Sequence, residues 1–209
     1  MIILLDPGHG RDTKGKGSPD ALAGRMDSPL WFREWCWTRE IAGRVHEVLL
    51  AEGLTSYLLV KEEIDIPLAD RVSRANAYCR KYGKDNVLLV SIHNNAAGNG
   101  DVWCNARGWS IYTTRGVTEA DRLARQIWWE AEKEFKFPLK VRRYASDPFG
   151  YDYESDLYIL KHTFCPAVLI EHFFQDNKED VKYLKSDAGK ASCIQVIVQG
   201  IENYIAEVR

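Results

Sequence analysis

The chain has 209 residues, which suits one domain, or one domain carrying a small insertion, with enough length to bury a substantial core. With 45% hydrophobic and 28% charged residues it has the composition of an ordinary soluble globular protein. A formal net charge of -2 gives no argument for nucleic acid or an anionic membrane surface as a partner.

In chain order, residues 2–6 (IILLD) read as a short buried strand. This run has no basic flank and falls short of the roughly 7–15 apolar residues of a signal-peptide core, so no leader is expected and synthesis in a reducing cytoplasm is. Nor does any stretch approach the roughly 18 apolar residues that would span a membrane. Residues 7–29, rich in Gly, Asp, Lys, Ser and Pro, read as a long loop. Apolar positions at helical spacing (Trp37, Ile41, Val45, Val48, Leu49) predict a helix within 31–51, closed by Gly53. A strand at 54–60 follows, then a helix at 67–83 with Pro67 at its first position and Gly83 at its end.

Residues 86–93 (NVLLVSIH) are a strongly buried strand, and 94–108 a Gly/Asn loop. A strand at 109–114 and a helix at 117–136 come next, the helix carrying Leu123, Ile127, Trp128 and Trp129. Residues 137–157 read as an aromatic and charged loop, and 166–174 (PAVLIEHFF) as the last strong strand. A short helix over 178–184 and a long one over 190–208 complete the chain. Alternating strands and helices, with strands that are apolar throughout, predict an α/β fold: a single-domain three-layer sandwich over 1–209, its central sheet mostly parallel and flanked by helices. The five cysteines are odd in number and none has CxxC spacing, which argues against a disulfide framework and a cysteine zinc site. They are expected to be reduced and mostly buried.

Polar residues gather where the apolar strands end. His9 follows the first strand inside DPGHG, His93 closes VSIH, and Glu171 and His172 interrupt the last strand. Open α/β sheets bind ligands outside the carboxyl ends of their strands, so His9, His93 and Glu171 can converge on one crevice. Two histidines do not complete a zinc site, because a catalytic zinc takes three protein ligands and keeps a fourth position open. Glu34 opens the first helix and is favoured by position, with Glu40, Glu47, Asp12, Asp20 and Asp27 as alternatives. Strand alternation turns His172 away from Glu171. His46 and His162 read as surface or structural residues, and Asn94 and Asn95 either orient a ligand or satisfy a turn. Trp37 reads as core; Trp31, Trp35, Trp103 and Trp109 lie in or beside the crevice-side loops, where Trp103 and Trp109 can serve as core or as stacking surface.

The ordered set LLDPGHG, EWCWTREIA, LADRVSRAN, VSIHNNA and PAVLIEHFFQDNKEDVKYL resembles, from about residue 2 to about residue 184, the zinc-dependent N-acetylmuramoyl-L-alanine amidases of the amidase-3 type. The resemblance implies a zinc exopeptidase/amidase-like fold and hydrolysis of the amide between the lactyl group of muramic acid and L-alanine in peptidoglycan. Residue by residue, it implies one zinc ion held by His9, Glu34 and His93, with Glu171 as the catalytic residue. His172 departs from the small residue the family usually has after that glutamate, GHGR from the common GHGG, and the 137–157 loop has no clear counterpart. The acidic DYESD (152–156) reads as a solvated loop, or as a surface facing an amine of the stem peptide. A stand-alone enzyme of this kind resembles a phage or prophage lysin, made inside the cell and acting on the wall after release or export, and is expected to be a monomer. The alternatives are another zinc-dependent peptidase or amidase of the same fold, or a non-catalytic peptidoglycan-binding module.

Overall fold

The computed structural model describes residues 1–144 and 150–208. Six strands form one sheet: β1 (Ile2–Pro7), β2 (Thr55–Leu58), β3 (Val87–Asn95), β4 (Ser110–Thr113), β5 (Tyr153–Glu154) and β6 (Ala167–Phe174), in the spatial order β2-β1-β3-β6-β4-β5. Every neighbouring pair is parallel except β4 and β6, so the sheet is mostly parallel as expected. The helices are α1 (Pro19–Leu22), α2 (Glu34–Ala51), α3 (Leu68–Tyr82), α4 (Glu119–Glu134), α5 (Tyr158–His162), α6 (Lys178–Lys185) and α7 (Asp187–Val208), with a 3-10 turn at Lys84–Asn86.

The apolar strands are explained by burial on both faces. Ile3, Leu5, Leu88, Val90, Ile92, Val168 and Ile170 pack with Trp37, Ile41 and Val45 of α2, Leu123 and Ile127 of α4, and Ile197 and Ile201 of α7. Alternate residues Leu4, Leu89, Ala167 and Leu169 face Val72, Ala75 and Cys79 of α3 and Ile159 and Leu160 of α5. The result is the predicted three-layer sandwich.

Local chemistry sets where the helices begin. Thr118 and Asp121 form a reciprocal capping box at the start of α4, and the Asn177 side chain accepts from the Glu179 and Asp180 N–H groups of α6. Pro67 sits one residue before α3 rather than inside it, and its fixed φ leads the chain into the helix.

Three elements depart from the sequence reading. The 7–29 loop contains α1, a single turn capped by Ser18 and started by Pro19, too short to show an apolar period. The 137–157 loop contains β5, two residues ordered by pairing with β4, while residues 145–149 of that loop lie outside the described residues. The short helix α5 was not expected; it covers one end of the smaller core with Ile159 and Leu160. Of the cysteines, Cys79, Cys165 and Cys193 are buried, Cys104 is partly covered and Cys36 exposed, all as free thiols. Among the described residues no helix is long and apolar enough to cross a membrane.

Along the β3–β6 seam His93 pairs with Glu171 and Asn95 with Phe174, so β6 carries one residue more than β3 over that stretch. This is a β-bulge, and Phe173 within it has φ 58°.

Candidate active site

The site begins with the turn that ends β1. Asp6 is buried and accepts from Ser91 Oγ of β3 (2.7 Å) and from Arg71 Nη1 of α3 (2.7 Å). The same guanidinium donates to the Pro7 and His9 carbonyls (2.7 and 3.3 Å), to Asp65 Oδ1 (3.0 Å) and, through Nε, to the Ile66 carbonyl (2.8 Å). One buried arginine thus ties the DPGHG turn to the entry of α3. Thr38 of α2 holds the other side, its hydroxyl donating to the Gly8 carbonyl at 3.0 Å.

This bracing keeps His9 at φ 59°, a left-handed conformation that costs a non-glycine residue about 1–3 kcal/mol. The flanking glycines answer to space. A Cβ at residue 8 would stand 2.3 Å from the His93 ring, and one at residue 10 would stand 2.0 Å from the Asp65 backbone nitrogen.

His93 and Glu171 are register partners on adjacent parallel strands, so their side chains emerge on the same face. Glu34, at the first position of α2, reaches over the strand ends and is fully buried. Its Oε1 lies 3.1 Å from His93 Nδ1 and 3.5 Å from His9 Nε2, and it accepts the Asn94 N–H at 3.0 Å. Its Oε2 accepts from Gln175 Nε2 at 2.9 Å. The two imidazole rings stand 4.9 Å apart and perpendicular. His9, Glu34 and His93 each offer a ligand atom, and these atoms all lie within 4.8 Å of one another.

The electrostatics suit a cation. Burial lowers the His9 pKa to about 4, against the pull of Glu34, so its imidazole is neutral and its lone pair free. Burial acts to raise Glu34, yet the His93 hydrogen bond and the neighbouring imidazoles hold it down at about 2, ionised. Burial opposes charge on His93, but the Glu34 hydrogen bond and charge raise its pKa. In short, a buried carboxylate draws positive charge toward two imidazoles. Two imidazole nitrogens and a carboxylate are a donor set of catalytic zinc sites, and these three residues fit such an ion.

Glu171 differs from Glu34. Burial, reinforced by the Glu34 charge, raises its pKa to about 7, while His93 and Lys16 work in the opposite direction. Its Oε2 is covered and has no hydrogen-bond partner among the described residues. A carboxyl group poised near neutrality beside a cation site can both take up and release a proton. It faces a cleft of about 430 Å³ walled by Lys16, Ile66, Leu68, Tyr158 and Leu169.

The other candidates lie elsewhere. Glu40 pairs with Lys190 on the outer side of α2, and Glu47 is exposed. Asp12 accepts the Asp65 N–H, Asp20 is held by Ser28 and Arg25, and Asp27 is exposed. His172 is buried on the opposite face of β6, tilted against Trp37 and Trp109 at 5.3 and 6.3 Å. Both its ring nitrogens lack partners among the described residues, and burial lowers its pKa to about 3. Asn94 donates to the His172 carbonyl and Asn95 accepts from the Ala96 N–H, so both serve the turn. His46 pairs with Ser56, and His162 is exposed beside Tyr158. Trp37 and Trp109 are core, Trp31 and Trp35 are half-buried, and Trp103 is half-buried next to Lys178. Within DYESD, Asp156 is paired with Arg115 and Lys161, and Asp152 bonds Thr113.

Sequence reasoning missed Asp6, Arg71 and Gln175. A charged residue on the inward face of α3, beside Val72 and Ala75, was a signal for Arg71. Gln175 follows the bulge and gave none.

A family model described as N-acetylmuramoyl-L-alanine amidase matches residues 3–203. An endolysin of Bacillus phage SPP1 is 26% identical, over 99% of this chain and 65% of its own length. The N-acetylmuramoyl-L-alanine amidase AmiC of Neisseria meningitidis serogroup B is 24% identical, over 98% of this chain and 52% of its own. The chain therefore spans between about half and 65% of these curated relatives. Among solved structures, the catalytic domain of the amidase CwlV from Paenibacillus polymyxa superposes with a TM-score of 0.77 at 20% identity, covering 98% of both chains. That likeness is one of fold.

Proposed function

We propose a reaction for this chain from the premise that it belongs to the N-acetylmuramoyl-L-alanine amidase family, whose model matches nearly its whole length. The reaction is hydrolysis of the amide between N-acetylmuramic acid and L-alanine in peptidoglycan, carried out by residues 1–209 as a single catalytic domain acting on the cell wall. The observation that carries it is the meeting of His9, Glu34, His93 and Glu171 at the mouth of one cleft.

His9, Glu34 and His93 would hold one zinc ion. When bound, zinc supplies Lewis acidity toward the scissile carbonyl and makes water acidic enough to attack near neutral pH. Glu171 takes a proton from the attacking water and returns it to the alanine nitrogen as the C–N bond breaks. Its position in register with His93 keeps that proton transfer at a fixed place relative to the ligands. Glu34 is held as a carboxylate by the Asn94 N–H and by Gln175 Nε2, which donate to its two oxygens. Leu68, Tyr158 and Leu169 line the cleft beside Glu171 and offer apolar surface to the substrate.

The test is mass spectrometry of purified peptidoglycan digested by the zinc-loaded protein, with E171Q alongside. Free stem peptides that begin at L-alanine, released by the parent alone, are the expected products. Intact muramoyl–alanine linkages in the presence of bound zinc would overturn the assignment.

A further inference from the structure

Two cations line the cleft, and their circumstances differ. Arg71 is buried and spends its donors on Asp6, Asp65 and three backbone carbonyls. Lys16, which also lines the cleft, is half-buried, and its ammonium has no ion pair or hydrogen bond among the described residues.

The backbone around Lys16 is fixed. The Lys16 carbonyl accepts the Glu34 N–H at 3.4 Å, Gly17 bridges to Arg33, and the Ser18 N–H donates to the Phe32 carbonyl at 2.9 Å. The segment is therefore sewn to the start of α2, and only the lysine side chain stays free to enter the cleft. Its field is felt by His9, Glu34 and Glu171 alike. A lysine so placed repels a divalent cation and weakens the site that holds it. Its ammonium stays open to the cleft and available to a ligand. That cost is offset when the substrate brings a negative charge to the ammonium.

We propose that Lys16 is a specificity-determining residue whose ammonium binds a carboxylate of the substrate within the cleft that Glu171 faces. The inference rests on the amidase reading above. In a muramoyl peptide the carboxylate nearest the scissile amide is the α-carboxylate of the second stem residue, which occurs free or amidated. The free form fits the unpaired ammonium; the amidated form leaves it unpaired.

Two soluble muramoyl tripeptides that differ only in that amidation provide the test. The parent protein is expected to favour the free carboxylate by roughly tenfold or more in kcat/KM, the worth of a charge-assisted hydrogen bond. In K16M the preference collapses toward one, and in K16R a large part of it returns. Binding of both tripeptides to E171Q, followed by calorimetry, gives the same ratio without turnover. A general loss of field would slow both substrates equally, so the ratio is the specific readout. If the parent cleaves both tripeptides with no preference, or K16M keeps the parent's ratio, the role of Lys16 is overturned while the amidase reading stands. If the zinc-loaded parent cleaves neither, the reading itself falls and takes the inference with it.

Discussion

At the level of Glu171 and His172 the two faces of the sheet solve opposite problems. On the α3 and α5 side, Asp6, Ser91, His93 and Glu171 line up along the strand ends, and Arg71 knits the lower part of that row to its surroundings. On the other side the same strands present His172 to Trp37 and Trp109, and Phe173 to Phe135 and Tyr183. Both Glu171 and His172 are titratable and both are pushed toward neutrality by burial. One stands at an opening beside His93 and Glu34, the other in a closed aromatic box. Chemistry at a strand end therefore depends on which face opens and on what lies beside it; burial alone does not create a catalytic group.

Four substitutions test that contrast. The largest effect is expected at Glu171, where E171Q should lower turnover by about 10²–10⁴-fold, the usual contribution of a positioned proton-transfer group. Zinc content measured by atomic absorption should be unchanged, and a parallel loss of metal would make Glu171 a ligand instead. Next comes R71M, which strands the buried Asp6 carboxylate and should cost about 3–5 kcal/mol in urea unfolding. A cost below about 1 kcal/mol would show that the arginine does not brace the turn. G8A places a methyl group against the His93 ring and should cost about 1–3 kcal/mol, with zinc bound more weakly in competition with a chelator. Unaltered zinc affinity would mean that the ring yields freely.

The smallest effect belongs to the closed face. H172L removes two ring nitrogens that have no partner among the described residues and is expected to stabilise the fold by about 1 kcal/mol, a rise of about 2–4 °C in Tm for a chain of this size. Activity should stay within about twofold of the parent. A fall in Tm, or a loss of turnover like that of E171Q, would erase the distinction between the faces.

Much of the fold was readable because local signals agreed with the global pattern. Strands such as NVLLVSI are apolar on both faces because helices cover both, and the major helices carry clear periods and caps. His9, His93 and Glu171 were found because a polar residue at the end of such a strand has no packing role. Glu34 was only favoured among several carboxylates, since nothing local distinguishes it from Glu40; the distinction comes from where the start of α2 lands above the sheet. Arg71 and Gln175 owe their roles to partners far along the chain, Asp6 in one case and Glu34 in the other. The turns that became α1 and α5 are shorter than any period.

The bulge after Glu171 shifts the reading frame of β6. Up to that residue odd and even positions keep strict faces; beyond it His172 and Phe173 both turn to the closed side, and Phe174 resumes pairing opposite Asn95. A homologue or design that keeps two-residue alternation through this point would assign the next residues to the wrong faces. Deleting the extra residue would restore a regular ladder and pull back the following chain, including Gln175, which donates to Glu34. One inserted residue thus lets the strand that carries Glu171 also reach Glu34, the buried carboxylate set between the two imidazoles.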